Sequence, residues 1–181
     1  MLARALITTP IGPLGLEATD RGLAAVQFDP DPAFAEGVPS PGALPMLDHA
    51  RRELDDYFAG RLTKFTVPLA LRATIFGRRV YDHLVTIPFG ATTTYGAIAK
   101  ALKDPNATRA VGLANGRNPI PIIVPCHRVI GADGALTGFG GGLPRKRWLL
   151  DHEQTVLIRA GLGSVVTGRR EGALPFAGLA T

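Results

Sequence analysis

Among its 181 residues the chain has one cysteine, Cys126, one tryptophan, Trp148, and two methionines. A single cysteine excludes an internal disulfide and any cysteine-built zinc site. It points to a reducing compartment, for which the cytoplasm is the best fit. No apolar run approaches the ~18 residues that a membrane-spanning helix needs, so no membrane partner is expected. The opening segment, Met1-Leu2-Ala3-Arg4-Ala5-Leu6-Ile7, turns polar too soon for a secretory signal. Charged residues make up only 19% of the chain against 46% hydrophobic, the balance of a packed globular protein. The net charge of +5 permits a polyanionic partner without requiring one.

What the chain does have is punctuation, with 22 glycines and 15 prolines. Three short apolar stretches open it, Arg4–Thr9, Leu14–Thr19 and Leu23–Phe28, separated by Pro10-Ile11-Gly12-Pro13 and Asp20-Arg21-Gly22. Turn residues between short apolar runs predict a small antiparallel meander. Residues 29–45 carry five prolines and little periodicity, and are read as a mobile loop. Leu47, Ala50, Leu54, Tyr57 and Phe58 then fall at helical spacing before Gly60. Phe65–Leu71 reads as extended, and Pro68 confines it to an edge strand or a connector. Residues 1–71 are thus expected to form a small α/β domain.

From residue 72 the pattern becomes helical. Thr74 is a candidate cap for a helix carrying Phe76, Val80, Leu84 and Ile87, stopped by Pro88 and Gly90. Thr94 is a candidate cap for a second helix, Tyr95–Leu102. Asp104-Pro105 forms an N-cap and N1 pair for a third, which runs to about Asn115 with Gly116 as its C-terminal cap. Ala107, Ala110, Val111 and Ala114 give that helix an apolar face, while Arg109, Gly112 and Gly116 share another face nearly bare of bulk. The spacing fits a helix-turn-helix, and it equally fits an ordinary helical hairpin. Arg145-Lys146-Arg147 reads as a solvated charged face.

The most informative stretch is Asn118–Ile130, an apolar run that delivers Cys126 beside His127 and Arg128. The thiolate is the reactive form of cysteine, and a histidine that takes the thiol proton generates it. On an extended backbone the two side chains would face opposite ways, so the proton would need a bridging water. Taken alone, a Cys-His pair is also compatible with a buried structural cysteine beside a satisfied core histidine.

Pro125-Cys126-His127-Arg128-Val129 resembles the active-site motif of the O6-alkylguanine-DNA alkyltransferases. Ile87-Pro88-Phe89-Gly90, Thr94-Tyr95-Gly96, Arg109-Ala110-Val111-Gly112, Asn118-Pro119, Gly140-Gly141-Gly142 and Trp148–Glu153 follow in the family's order, so the likeness extends from about Thr74 to Glu153. The resemblance implies an α+β protein of two domains. Residues 1–71 would be a ribonuclease-H-like α/β domain with an antiparallel sheet. Residues 72–155 would be a winged helix-turn-helix-like helical domain carrying the active-site loop. Residues 156–181 would be a tail that the resemblance does not explain.

The resemblance also implies the chemistry. Cys126 would take an alkyl group from O6 of guanine in DNA, once and irreversibly, through a Cys126–His127–water–Glu153 relay. Tyr95 would donate a hydrogen bond to the leaving base, and Asn118 would tie the recognition helix to the active-site loop. Val129, Phe139 and Gly140 would line the base pocket. Arg109 would fill the gap left by a flipped nucleotide, and Ala110, Gly112, Asn115 and Gly116 would bring the helix against the minor groove. Arg128 would pair with an acidic group near the domain interface. No cofactor and no metal is implied. The partner would be duplex DNA carrying O6-alkylguanine, with O4-alkylthymine as a further candidate. The free protein would be a monomer, with cooperation on DNA left open.

Three departures are visible, all aromatic for aromatic: Tyr81 for the family's usual tryptophan, and Phe89 and Phe139 for its frequent tyrosines. The alternative within the family's reach is a lesion sensor that binds without chemistry, but such proteins replace the cysteine that stands here. A cysteine hydrolase would need an oxyanion-hole motif that the sequence does not display. A sequence-specific repressor would need base-reading side chains that the third helix lacks.

Overall fold

The computed structural model describes residues 2–36 and 38–162. Three strands open the fold, β1 (Leu2–Thr9), β2 (Gly12–Thr19) and β3 (Gly22–Phe28), paired antiparallel in the order β1-β2-β3. Two-residue turns join them, with Thr9 opposite Gly12 and Thr19 opposite Gly22. A register shift between Glu17 and Ala18 bends β2 against β3. Such a bulge re-aims the side chains that follow it.

Helix α1 (Leu44–Phe58) covers the sheet with Leu47, Ala50, Leu54 and Tyr57, the face its periodicity predicted. Each fully buried leucine there contributes roughly 1.5–3 kcal/mol by leaving water. The proline-rich segment before it carries local structure among its described residues. It forms short 3-10 turns at Pro32–Ala35, capped by the Asp31 carboxylate, and at Pro41–Ala43. Proline at the first turn position has its φ already set and loses no hydrogen bond there. The Phe65–Leu71 stretch is a connector that touches the edge of β3 at a single bridge, Leu23 to Leu69. Leu23 N donates to Pro68 O at 2.8 Å, so proline contributes only its carbonyl.

The second half holds α2 (Ile75–Leu84), α3 (Tyr95–Ala101), α4 (Thr108–Gly116) and α5 (Leu143–Arg159). Thr74 and Thr94 cap α2 and α3 by accepting from Gly77 N and Ala97 N. A short parallel pair, β4 (Thr93–Thr94) and β5 (Val129–Ile130), ties the start of α3 to the chain just after Cys126. The fold is therefore an antiparallel sheet with one helix, followed by a helical half.

Four local expectations need correction. Asp104 does not cap a helix with its side chain, because Pro105–Ala107 form a 3-10 turn in which Ala107 N bonds to the Asp104 carbonyl. Gly116 is the last helical residue rather than a left-handed cap. Arg117 follows at φ −96°, so no glycine conformation is required. Ala110 is exposed rather than part of the apolar face, and Val111 and Asn115 are buried instead. The expected tail 156–181 begins inside α5, which continues to Arg159, and residues 163–181 lie outside the described residues.

Candidate active site

Cys126, His127 and Arg128 form a single 3-10 turn, not an extended segment. Three residues per turn send successive side chains about 120° apart. The turn is held from several directions. Asn118 Nδ2 donates to the Val124 carbonyl at 2.7 Å, and its Oδ1 accepts from Ile120 N at 3.0 Å. Between them Ile122 sits at φ +77°, a left-handed conformation that a β-branched residue adopts only under constraint. Asn118 thus ties the end of α4 to the approach to Cys126.

Glu153, on α5, is fully buried and is the hub of the site. Its Oε1 accepts directly from His127 Nε2 at 2.8 Å, which corrects the order of the relay, since the resemblance implied a water between these two. It also accepts from Arg128 Nη2 at 2.9 Å and from the Tyr57 hydroxyl at 2.9 Å. Its Oε2 accepts from Arg128 Nε at 3.0 Å and from Gly90 N at 2.8 Å. Gly90 stands at φ +75°, and a Cβ there would collide with Leu157, so glycine is required for this contact. Arg128 also donates to the Ile87 carbonyl at 2.6 Å and lies over the Phe89 ring. Burial works against ionising Glu153, but the hydrogen bonds and charges of His127 and Arg128 outweigh it and hold the carboxyl down to about 2.

Burial also acts on the two partners. It lowers His127 below its ordinary value of 6.5, with the Glu153 hydrogen bond and charge opposing. It pushes the Cys126 thiol up to about 11, against the Asn118 hydrogen bond and the Lys146 charge. At neutral pH the resting site therefore holds a thiol and a neutral imidazole. An ionised carboxylate only accepts, so His127 Nε2 carries the proton. His127 Nδ1 is then a bare lone pair, buried and without a hydrogen-bond partner among the described residues.

A cavity of about 280 Å³ opens beside the thiol, with Cys126, Asn118, Pro121 and Gly140 in its lining. Val129 is fully buried, and Phe139 and Tyr95 are partly buried beside the core. The Tyr95 hydroxyl accepts from Thr137 Oγ1 at 3.2 Å, linking α3 to the active-site loop. On α4, Arg109, Ala110 and Gly116 are exposed, and Gly112 is half-buried 3.8 Å, measured from an added Cβ, from the Tyr95 ring. Asn115 is a correction. Its side chain turns inward, 3% exposed, with Nδ2 directed at the Cys126 carbonyl at 3.4 Å and Oδ1 without a partner among the described residues, so it meets the cavity beside the thiol and not an outer face.

Sequence reasoning missed two residues. Lys146 is not on a solvated face. It is fully buried, and its Nζ donates to the Val129 and Thr137 carbonyls at 2.6 Å each, close enough to the thiol for its charge to favour the thiolate. Arg145 beside it pairs with Asp29 at 2.6 Å, leaving only Arg147 of the three exposed. Tyr57 was seen as a core residue, but nothing local announces that its hydroxyl reaches Glu153. Among the described residues no group of three or more His, Cys, Asp or Glu gathers as a metal site, and no helix is long and apolar enough to cross a membrane.

A family model described as the ribonuclease-like domain of 6-O-methylguanine DNA methyltransferase matches residues 2–71, and one described as its DNA-binding domain matches residues 75–155. The methylated-DNA–protein-cysteine methyltransferase of Mycobacterium tuberculosis is 51% identical over 152 residues, covering 82% of this chain and 90% of that protein. The protein of that name from Methanosarcina acetivorans is 48% identical, covering 82% and 96%. A crystal structure of Mycobacterium tuberculosis O6-methylguanine methyltransferase superposes with a TM-score of 0.75 at 49% identity, covering 86% of this chain and 94% of that one. A structure of Mycobacterium tuberculosis OGT in complex with DNA superposes at 0.74, with 50% identity and coverage of 83% and 92%. On two family models that together span most of its length, and on relatives near half identical over most of both chains, this chain belongs to the 6-O-methylguanine DNA methyltransferase family.

Proposed function

We propose that this protein is a methylated-DNA–protein-cysteine methyltransferase that repairs DNA by direct reversal, moving the alkyl group of O6-alkylguanine onto Cys126. The observation that carries the reading is the lone cysteine at the wall of a cavity, with His127 held at 2.8 Å by the fully bonded Glu153 behind it. No hydrogen bond joins His127 Nδ1 directly to the thiol among the described residues, so one bridging water carries the proton. As the thiolate forms, the imidazole becomes a cation, and Glu153 stabilises it at 2.8 Å.

The thiolate then attacks the alkyl carbon on O6. The carbon–oxygen bond breaks, its electron pair stays with guanine, and a hydrogen bond from Tyr95 relieves the developing charge. The product is a thioether that water does not cleave, so one cysteine gives one turnover. Because O6 lies inside the duplex stack, the nucleotide must leave the helix to reach Cys126. Exposed Arg109 fills the space it vacates, while Ala110, Gly112 and Gly116 let α4 approach the minor groove. Val129, Phe139 and Gly140 wall the base. Residues 2–71 support the site, and residues 72–155 hold the DNA and the chemistry. One Cys126 per chain makes the monomer the reacting unit, and a reducing cytoplasm keeps the thiol free.

Intact-mass measurement after incubation with excess O6-methylguanine duplex tests this. The expected result is one added methyl group per chain, located on Cys126, and none on the Cys126→Ser variant. Binding with no gain in mass would instead describe a lesion sensor, and continued turnover would sink the stoichiometric mechanism.

A further inference from the structure

The cavity beside Cys126 is not built by the DNA-binding half alone. Its lining includes Val26, Gln27 and Phe28 at the end of β3, together with Cys126, Pro121 and Gly140. Strand β3 is stitched to this region by Val26 N donating to the Pro119 carbonyl at 2.9 Å. Phe28 is clamped where it stands. Its ring meets Phe139 edge-on at 5.4 Å, and the Arg145 guanidinium lies over it at 5.3 Å. A Cβ on Gly141 would come within 2.9 Å of that ring, so the loop backbone presses directly on Phe28. Arg145 is itself held by both carboxylate oxygens of Asp29 and by the Ile11 carbonyl at 2.7 Å.

We infer that β3 supplies a fixed wall of the alkyl-accepting pocket, and that Phe28 and Gln27 are specificity-determining residues limiting the size of the O6 substituent. This rests on the alkyl-transfer reading above. A ring locked between two halves of the molecule does not swing aside at low cost, because tightly packed contacts resist displacement. A methyl group asks little of the space beside the thiol. A benzyl group must occupy the volume that Phe28 bounds. Gln27 lines the same wall and is exposed, so a larger side chain there narrows the mouth of the cavity without disturbing the core.

The test compares transfer rates on two duplexes identical except for O6-methylguanine or O6-benzylguanine at one site. Flipping and DNA contacts are common to both, so the benzyl-to-methyl rate ratio reports the pocket. Phe28→Ala should raise that ratio about tenfold, a shift equivalent to roughly 1.4 kcal/mol in relative barrier. Gln27→Trp should lower it by a similar factor. Circular dichroism checks folding, and Phe28→Leu, expected to raise the ratio more modestly, replaces the alanine variant if that one does not fold. Rates that fall equally on both substrates would make Phe28 a mere support of the loop and overturn the assignment. A ratio that stays put in the Gln27 variant would also overturn it. Wild-type protein that transfers methyl with unmoved variant ratios sinks this inference alone, whereas wild-type protein that transfers nothing sinks the alkyl-transfer reading and this inference with it.

Discussion

Replacing Tyr57 by phenylalanine removes one hydroxyl and keeps the ring. The ring is fully buried and packs against Phe58, Phe65, Phe89 and His152 at centroid distances of 5.3–6.0 Å, so the core should not rearrange. What is lost is the 2.9 Å hydrogen bond from α1 to Glu153 Oε1. Burial and the Glu153 charge hold the phenol well above its ordinary value of 10, so it stays protonated and donates at every workable pH. Hydrogen bonds to charged groups are worth about 1.5–3 kcal/mol. Glu153 keeps its bonds to His127, Arg128 and Gly90 in the variant, so no unpaired charge adds to the cost. Urea unfolding should therefore show a loss of about 1.5–3 kcal/mol. In a chain of this length that is a fall of roughly 3–12 °C in Tm. A double-mutant cycle with Glu153→Gln, whose amide oxygen still accepts, should return about half of it as coupling energy, because a charge-assisted hydrogen bond is roughly twice as strong as a neutral one. A loss below about 0.5 kcal/mol, or no coupling, would refute the claim that this bond joins the first half of the molecule to the Glu153 carboxylate.

Glu153 also sets a pH dependence. Its carboxyl is held at about 2 in the folded protein against an ordinary 4.5, so its contribution, about 3 kcal/mol, is complete above about pH 5 and is lost as pH falls through 4.5 toward 2. His127, held below its ordinary 6.5, adds a loss in the same direction. A urea midpoint that stays flat from pH 6 to pH 2 would contradict both. Lys146→Met should strip the Val129 and Thr137 carbonyls of their donor at about 1–3 kcal/mol each, and should shift the pH profile of Cys126 alkylation by iodoacetamide upward. An unchanged profile would confine Lys146 to a structural role. Arg109→Ala should slow transfer on duplex DNA roughly ten- to a hundredfold at saturation, since unstacking costs a few kcal/mol, yet leave reaction with free O6-benzylguanine nearly unaltered. Equal losses on both substrates would remove Arg109 from the flipping step.

Much of this protein was legible before any packing was known. The turn residues after Thr9 and Thr19 delimit the strands, and the caps at Thr74 and Thr94 start their helices, because these are local chemistry between near neighbours. Pro125-Cys126-His127-Arg128 marked the segment that lies against the cavity, and the spacing of Leu47 to Tyr57 gave the core face of α1. Tertiary structure alone decided the rest. Lys146 lies between two arginines in sequence and looks solvated. Only the fold shows two carbonyls converging on its ammonium group. The resemblance assigned Asn115 to the minor groove, and only the fold turns its side chain inward to the Cys126 carbonyl. Tyr57 and Glu153 stand 96 residues apart, and Phe28 reaches the pocket from the first sheet. Periodicity reports which face of an element is apolar, but not which polar atom meets it from across the molecule. Buried charge settles only where long-range packing supplies its partners.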